Sequence, residues 1–331
     1  MRRSVTVMVL AGLTVLALGA WLPAAEKAAA KAPAPKVVEQ PDDGIQGVYL
    51  GADPASEKAG AKVVAQGGGA YKVILTTPGN AGIELAGKLD GGKVALTGPD
   101  GAGGTIAEKK LTATVGGKKY ELAYAVLKAP SLGEKPPAGA IVLLPYEEGK
   151  APPLAEWTNA EWQTSTDSSM TVAKGDNFTK RQFGDFKLHL EFRLPFEPSG
   201  KGQGRGNSGV YIFSLYEIQI LDSFGLPPAA SECAAVYTQT PPKVNACFPP
   251  GLWQTYDITF RAPRFDADGK KTTDAVVTVV QNGVTVQDQT VVKGPTGAAR
   301  GKPEVKVGQI KLQDHQHPVK FRNIWIQELK D

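Results

Sequence analysis

Residues 204–225 read GRGNSGVYIFSLYEIQILDSFG. Side chains alternate across a strand, so such a run divides into two faces. Over Tyr216–Leu221, Ile218 and Ile220 share one face, Glu217 and Gln219 share the other, and Asp222 ends the strand. Gly209–Ser214 is a second apolar run, and the glycines around its start let a backbone or a ligand approach closely. The same alternation places strands at Leu188–Leu194, Thr255–Arg261, Ala275–Gln281, Val284–Asp288, Gly308–Gln313 and Lys320–Glu328. Asn282-Gly283 is a two-residue hairpin signal. No helical period intervenes, which predicts an all-β sandwich or jelly roll over 141–331.

Leu188–Leu194 sharpens the picture. Leu188, Leu190, Phe192 and Leu194 form its apolar face, and His189, Glu191 and Arg193 form the other. Ionisable groups on an interior-looking strand are costly if buried unpaired, so this face meets water, a polar ligand or salt-bridge partners.

The 331-residue chain carries 38 glycines and 25 prolines, which favours short strands and turns over long helices. A net charge of +4 is too weak and too scattered for a nucleic-acid partner. Arg2-Arg3 followed by the uncharged apolar run Val5–Leu22 reads as an export signal over 1–25, with an uncleaved membrane anchor as the alternative. A periplasmic or extracellular location is therefore expected. Residues 26–44 are Ala-, Lys- and Pro-rich and read as a disordered spacer. Residues 45–128 read as a small all-β module of six strands with glycine turns and no cluster of catalytic residue types. Residues 129–140 (APSLGEKPPAGA) form a Pro/Gly linker.

The stretch 204–225 resembles the 3-keto-disaccharide hydrolase family, formerly a domain of unknown function in the concanavalin A-like lectin/glucanase superfamily. The resemblance continues through Phe183–Arg193 (FGDFKLHLEFR), Glu232–Gln239 (ECAAVYTQ), Trp253–Arg264 (WQTYDITFRAPR) and Ile310–Glu328 (IKLQDHQHPVKFRNIWIQE). It implies a two-sheet concanavalin A-like jelly roll with a concave carbohydrate-binding face. It also implies an oxidised di- or oligosaccharide as substrate, with a ketone at carbon 3 of one sugar. Such a ketone acidifies the proton on carbon 2, so a general base can start a β-elimination that expels the group on carbon 1; water then adds. The matching polar positions are Glu191, Arg193, Asn207, Glu217, Gln219, Asp222, Gln239, His315 and Asn323. Glu217, His315 and Glu191 are the catalytic candidates, with Glu217 or His315 as base or acid; the other six are candidates for binding substrate. One departure stands out. The family's Gly-Glu-Cys-Gly-Ala-Ile-Tyr-Gly-Gln pattern has Ala234 and Thr238 here in place of two internal glycines. If the backbone there needs positive φ, these residues strain it.

Two other functions compete. A conventional retaining glycosidase needs two carboxyl groups about 5–5.5 Å apart, which a cross-strand pair of Glu191 with Glu217 could supply. A lectin-like binder would keep the fold without catalysis. No cofactor is expected; Asp314-His315-Gln316-His317 raises a metal ion as an alternative, with two histidines and no third clear ligand. Cys233 and Cys247 are expected to form a disulfide in an oxidising compartment.

Overall fold

The computed structural model describes residues 44–330. The expected export signal and all but the last residue of the expected spacer lie outside the described residues.

The first body is a meander of β1 (Gly47–Gly51), β2 (Gly60–Gly67), β3 (Ala70–Thr77), β4 (Asn80–Asp90), β5 (Lys93–Thr97), β6 (Gly103–Ala107), β7 (Lys110–Val115) and β8 (Lys118–Ala125). Each strand pairs antiparallel with the next, and β8 returns to β1 to close a barrel. The expected six strands are thus eight. β4 was hidden because it is largely exposed and its apolar side chains are sparse, and β6 because it begins with Gly103-Gly104. Gly104 is required where it stands: a Cβ there would lie 2.0 Å from the Thr112 carbonyl oxygen. Tyr49, Val63, Val73, Leu85, Val94 and Leu111 fill the barrel, and Phe196 from the second body joins them.

The second body is the jelly roll. It comprises β9 (Ile141–Leu144), β10 (Gln163–Ser165), β11 (Ser169–Thr171), β12 (Asn177–Phe178), β13 (Phe186–Arg193), β14 (Ser208–Ile212) and β15 (Tyr216–Ile220). β16 (Trp253–Arg261), β17 (Arg264–Phe265), β18 (Lys271–Thr273), β19 (Ala275–Gln281), β20 (Val284–Val292), β21 (Lys311–Leu312) and β22 (Lys320–Glu328) complete it. The large sheet runs β10-β11-β22-β13-β16-β19-β20, with β9 added on β22. The small sheet runs β12-β21-β14-β15. Asn282 (φ 51°) and Gly283 (φ 82°) turn β19 into β20, as a two-residue hairpin with positive φ at both positions requires.

Phe186, Leu188, Leu190 and Phe192 of β13 share one core with Val210, Ile212, Ile218 and Ile220 of β14 and β15. Rings pack within and between the layers: Phe192 meets Tyr256 of the neighbouring strand at 4.8 Å, and Phe213, just past β14, meets Phe260 of the facing sheet edge-on at 5.1 Å. Each such side chain contributes about 1.5–3 kcal/mol by leaving water. Truncation of Phe192 to alanine would cost about 3–5 kcal/mol. The period of two thus sends apolar side chains between the sheets and leaves polar ones on both outer faces.

The segment 129–140 is a strap rather than a free linker. Ser131 Oγ donates to Asp257 Oδ2 at 2.7 Å, the Gly133 amide donates to Glu191 Oε1 at 2.6 Å, and Asn323 Nδ2 donates to the Glu134 carbonyl at 3.0 Å. It therefore crosses the outer face of the large sheet.

Candidate active site

β14 and β15 form a hairpin whose register sets Tyr211 opposite Glu217 and Gly209 opposite Gln219. Lys311 of β21 pairs with Tyr211 on the same face, its ammonium 3.7 Å from the ring centroid. With Ile218 and Ile220 committed to the core, alternation turns Glu217 and Gln219 outward. There they line a cavity of about 370 Å³ with Gln203, Asn207, Tyr211, Tyr237, Gln313 and His315, closed on one side by Gly297 and Ala298. Two glycines make room for the carboxyl group. A Cβ on Gly209 would lie 2.6 Å from Glu217 Oε1, and one on Gly297 would lie 3.2 Å from Glu217 Oε2.

Glu217 is buried, and burial pushes its carboxyl up to about 7 against the lowering effects of the Tyr211 hydrogen bond and the Lys311 charge. Tyr211 is in turn fixed by Gln313 Nε2, which donates to its hydroxyl at 3.3 Å. Burial and the Glu217 charge both hold the Tyr211 phenol well above its ordinary value, so it stays protonated as a donor. His315 shifts the other way: burial and the adjacent His317 lower its imidazole. The two rings stack at 6.0 Å, and His317 Nδ1 sits 2.6 Å from Glu197 Oε2. A carboxyl held high and an imidazole held low therefore line one cavity.

The cavity is also short of donors. Glu217 Oε2, Asn207 Oδ1, Gln219 Oε1 and Gln313 Oε1 are buried without a hydrogen-bond partner. Their amide nitrogens are occupied: Asn207 Nδ2 donates to the Gln203 carbonyl at 2.8 Å, and Gln219 Nε2 donates to Gln203 Oε1 at 3.0 Å. Orphaned acceptors are costly in a native protein unless something donates to them. A ring of sugar hydroxyls supplies such donors.

The structure thus brings Glu217, His315, Asn207 and Gln219 together and separates the other candidates from them. Glu191 lies on the outer face of the large sheet beneath the strap. It bonds Arg322 Nε at 2.6 Å, Asn323 Nδ2 at 2.9 Å and the Gly133 amide. Arg193 shares that face and stacks over Trp253. Asn323 joins them because β22 bulges opposite β13 and holds Asn323 at φ 47°. Asp222 is buried in an ion pair with Arg205, 2.5 Å apart. Gln239 lines a neighbouring cavity, its amide engaged by the backbone of Lys293 and Gly294. The expected disulfide is absent. Both thiols are free and buried, with Cys233 Sγ 3.1 Å from the Tyr256 hydroxyl and Cys247 Sγ 3.4 Å from the Phe248 carbonyl.

Tyr211, Gln203, Tyr237 and Gln313 were not anticipated. Tyr211 was legible, since it shares the parity of Gly209 in a hairpin opposite Glu217. Gln203 sits in a turn before β14 and Gln313 just past β21, where no periodicity marks them. For a metal ion, one set among the described residues brings ligand atoms within 4.8 Å of one another: Glu134, His189 and Asp257, under the strap. His189 Nδ1 and Asp257 Oδ1 already bond each other at 2.6 Å.

A family profile described as the 3-keto-alpha-glucoside-1,2-lyase-like domain matches residues 140–327. Among solved structures, a provisionally named glycosyl hydrolase from Parabacteroides distasonis ATCC 8503 is 40% identical, with a TM-score of 0.52, covering 58% of this chain and 84% of that one. Another protein of that organism with the same provisional name is 22% identical, with a TM-score of 0.39, over 53% of this chain and 95% of its own. No curated protein matches.

Proposed function

The chain belongs to the 3-keto-alpha-glucoside-1,2-lyase-like family, and on that premise we propose that the Glu217 cavity cleaves 3-keto-glycosides by β-elimination. The chain is a carbohydrate-active enzyme of the hydrolase or lyase type. The observation that carries the mechanism is the cavity's acid–base inventory: one carboxyl group, Glu217, lines the same cavity as one imidazole, His315. A conventional retaining glycosidase needs a second carboxyl group about 5–5.5 Å away. The cavity wall holds none, and Glu191, the expected partner, lies on the other sheet.

Protonation states decide the roles. Near neutral pH the lowered His315 is mostly the free base, and Glu217, near 7, is still largely protonated below that pH. The reverse pair, imidazolium with carboxylate, is the minority on both counts. Groups whose environments push them apart in this way divide into base and acid. His315 then takes the proton from carbon 2, the electrons form the carbon 1–carbon 2 double bond, and Glu217 protonates the departing oxygen on carbon 1. Tyr211 orients Glu217, and Asn207, Gln219 and Gln313 accept from sugar hydroxyls. Water adding to the alkene returns the free 3-keto sugar. Export through residues 1–25 belongs to the same proposal.

Incubation with an aryl 3-keto-glucoside tests it. Release of the aglycone is expected, with a narrow bell-shaped pH profile whose acid limb lies below 6.5 and whose alkaline limb lies near 7. Binding without release would assign the site to a lectin. Release from the unoxidised glucoside would return the two-carboxylate mechanism.

A further inference from the structure

A second cavity, of about 470 Å³, is lined by Gln239, Thr240, Lys293, Pro295, Arg300 and Gly301. It is built from two of the segments that help wall the Glu217 cavity. Tyr237 lines one cavity and Gln239 the other; Ala298 lines one and Arg300 the other. Two residues span at most about 7 Å of chain, roughly the length of one small ring. The two cavities are therefore adjacent compartments.

Their polarity is opposite. The Glu217 cavity holds orphaned acceptors, whereas the second presents two cations and no carboxylate. Neither Lys293 nor Arg300 has an ion-pair partner among the described residues. The stretch 293–306 also carries Lys302 and Lys306, and its one acid, Glu304, is tied to the Tyr216 hydroxyl and to Lys271. Arg300 is instead held by a neutral group: its Nη2 donates to Thr238 Oγ1 at 3.3 Å. Thr238 sits at φ 61°, where a β-branched residue is strained. A glycine would relieve that strain but could not hold the guanidinium.

We infer that this second cavity is the leaving-group subsite and that it selects aglycones or sugar units carrying a negative charge, such as a carboxylate or a sulfate. The assignment of a leaving group rests on the elimination proposed above; the anion preference rests on the cavity alone. Arg300, whose Nη2 reaches Thr238, supplies planar paired donors at the exposed mouth of the cavity, and Lys293, also exposed, adds a second charge.

Two measurements separate these claims. The first compares aryl 3-keto-glucosides bearing a para-carboxylate with those bearing the neutral para-carboxamide. The carboxylate is expected to show a KM lower by about tenfold at low salt, a charge-assisted preference that added salt weakens. In Arg300→Met and Lys293→Met the carboxylate-over-carboxamide preference should shrink toward unity. The second titrates 4-hydroxybenzoate and its amide into the free enzyme. Only the acid should bind, and Arg300→Met should lose it. Equal KM values for both substrates, or equal binding of acid and amide, would overturn the anion subsite. Selective acid binding with no cleavage of either glucoside would keep the anion site and overturn the elimination.

Discussion

The outer faces of the two sheets carry similar residues in opposite states. On β15, Glu217 is left with Oε2 unpartnered beside other unpartnered acceptors. On β13, Glu191 is equally buried but bonds Arg322, Asn323 and the strap amide, with His189 3.7 Å away. His189 in turn bonds Asp257, and Trp325 stacks on it at 5.1 Å. On the strap side the carboxylates and His189 are held by the protein's own groups, with the Trp325 indole N–H alone left over among the described residues, whereas around Glu217 four acceptors have no donor. Buried polar groups are normally satisfied, and although single unpartnered atoms also occur at Gln281 and Trp325, the gathering of four unpartnered acceptors in one cavity points to a ligand there. The pKa directions agree: Glu217 is raised because burial outweighs its partners, whereas Glu191 is lowered because its partners outweigh burial.

Glu217→Gln breaks the comparison most sharply. The amide keeps the shape and removes the proton donor, so kcat should fall by about 10²–10⁴-fold. Thermal stability should hold or rise, because an ionisable group buried without full compensation is being replaced by a neutral one. A melting curve and a rate on the 3-keto-glucoside check both. Glu191→Ala should do the reverse. It strands the Arg322 and His189 charges and frees the strap, costing about 3–5 kcal/mol in denaturant unfolding. The protein that remains folded should keep its kcat. A matching loss of kcat would show that the two faces are not independent.

Alternation alone could not make this distinction. It correctly divided β13 and β15 into core and polar faces, and Asn282-Gly283 marked its hairpin, because these are local properties. It does not say which sheet a strand joins or what covers its outer face. Glu191 and Glu217 therefore looked like potential partners although they lie on opposite sides of the core. The strap misled for a related reason: APSLGEKPPAGA has the composition of a tether, and only the tertiary contacts of Ser131 and Gly133 fix it. Asn323 needed the bulge in β22, which no single-strand pattern reveals.

The strap side should also answer to alkali. Burial lowers the His189 pKa, but Asp257 and Glu191 outweigh it and raise it to about 9. A group raised on folding contributes stability that is complete below its unfolded value, about 6.5, and is lost as pH rises through the folded one. Unfolding free energy should therefore decline between about pH 6.5 and 9. In His189→Gln that decline should flatten; an unchanged slope would remove the imidazolium from the latch.

The smallest expected effect concerns backbone strain, which the two sides also distribute differently. Asn323 takes positive φ on the strap side with a side chain that tolerates it and bonds Glu191 and the Glu134 carbonyl. Thr238, beside the cavities, takes φ 61° with a β-branched side chain and one long bond to Arg300. Left-handed backbone costs an ordinary residue about 1–2 kcal/mol, and glycine returns about 0.5–1 kcal/mol of that through unfolded-chain entropy. Thr238→Gly should therefore stabilise by roughly 0.5–1 kcal/mol, a rise of about 2–4 °C per kcal/mol in a body of this size. Asn323→Gly should destabilise, because it loses two bonds and relieves little strain. If Thr238→Gly is neutral or destabilising, the Arg300 contact is worth more than the strain, and Thr238 stabilises the cavity wall at no net cost.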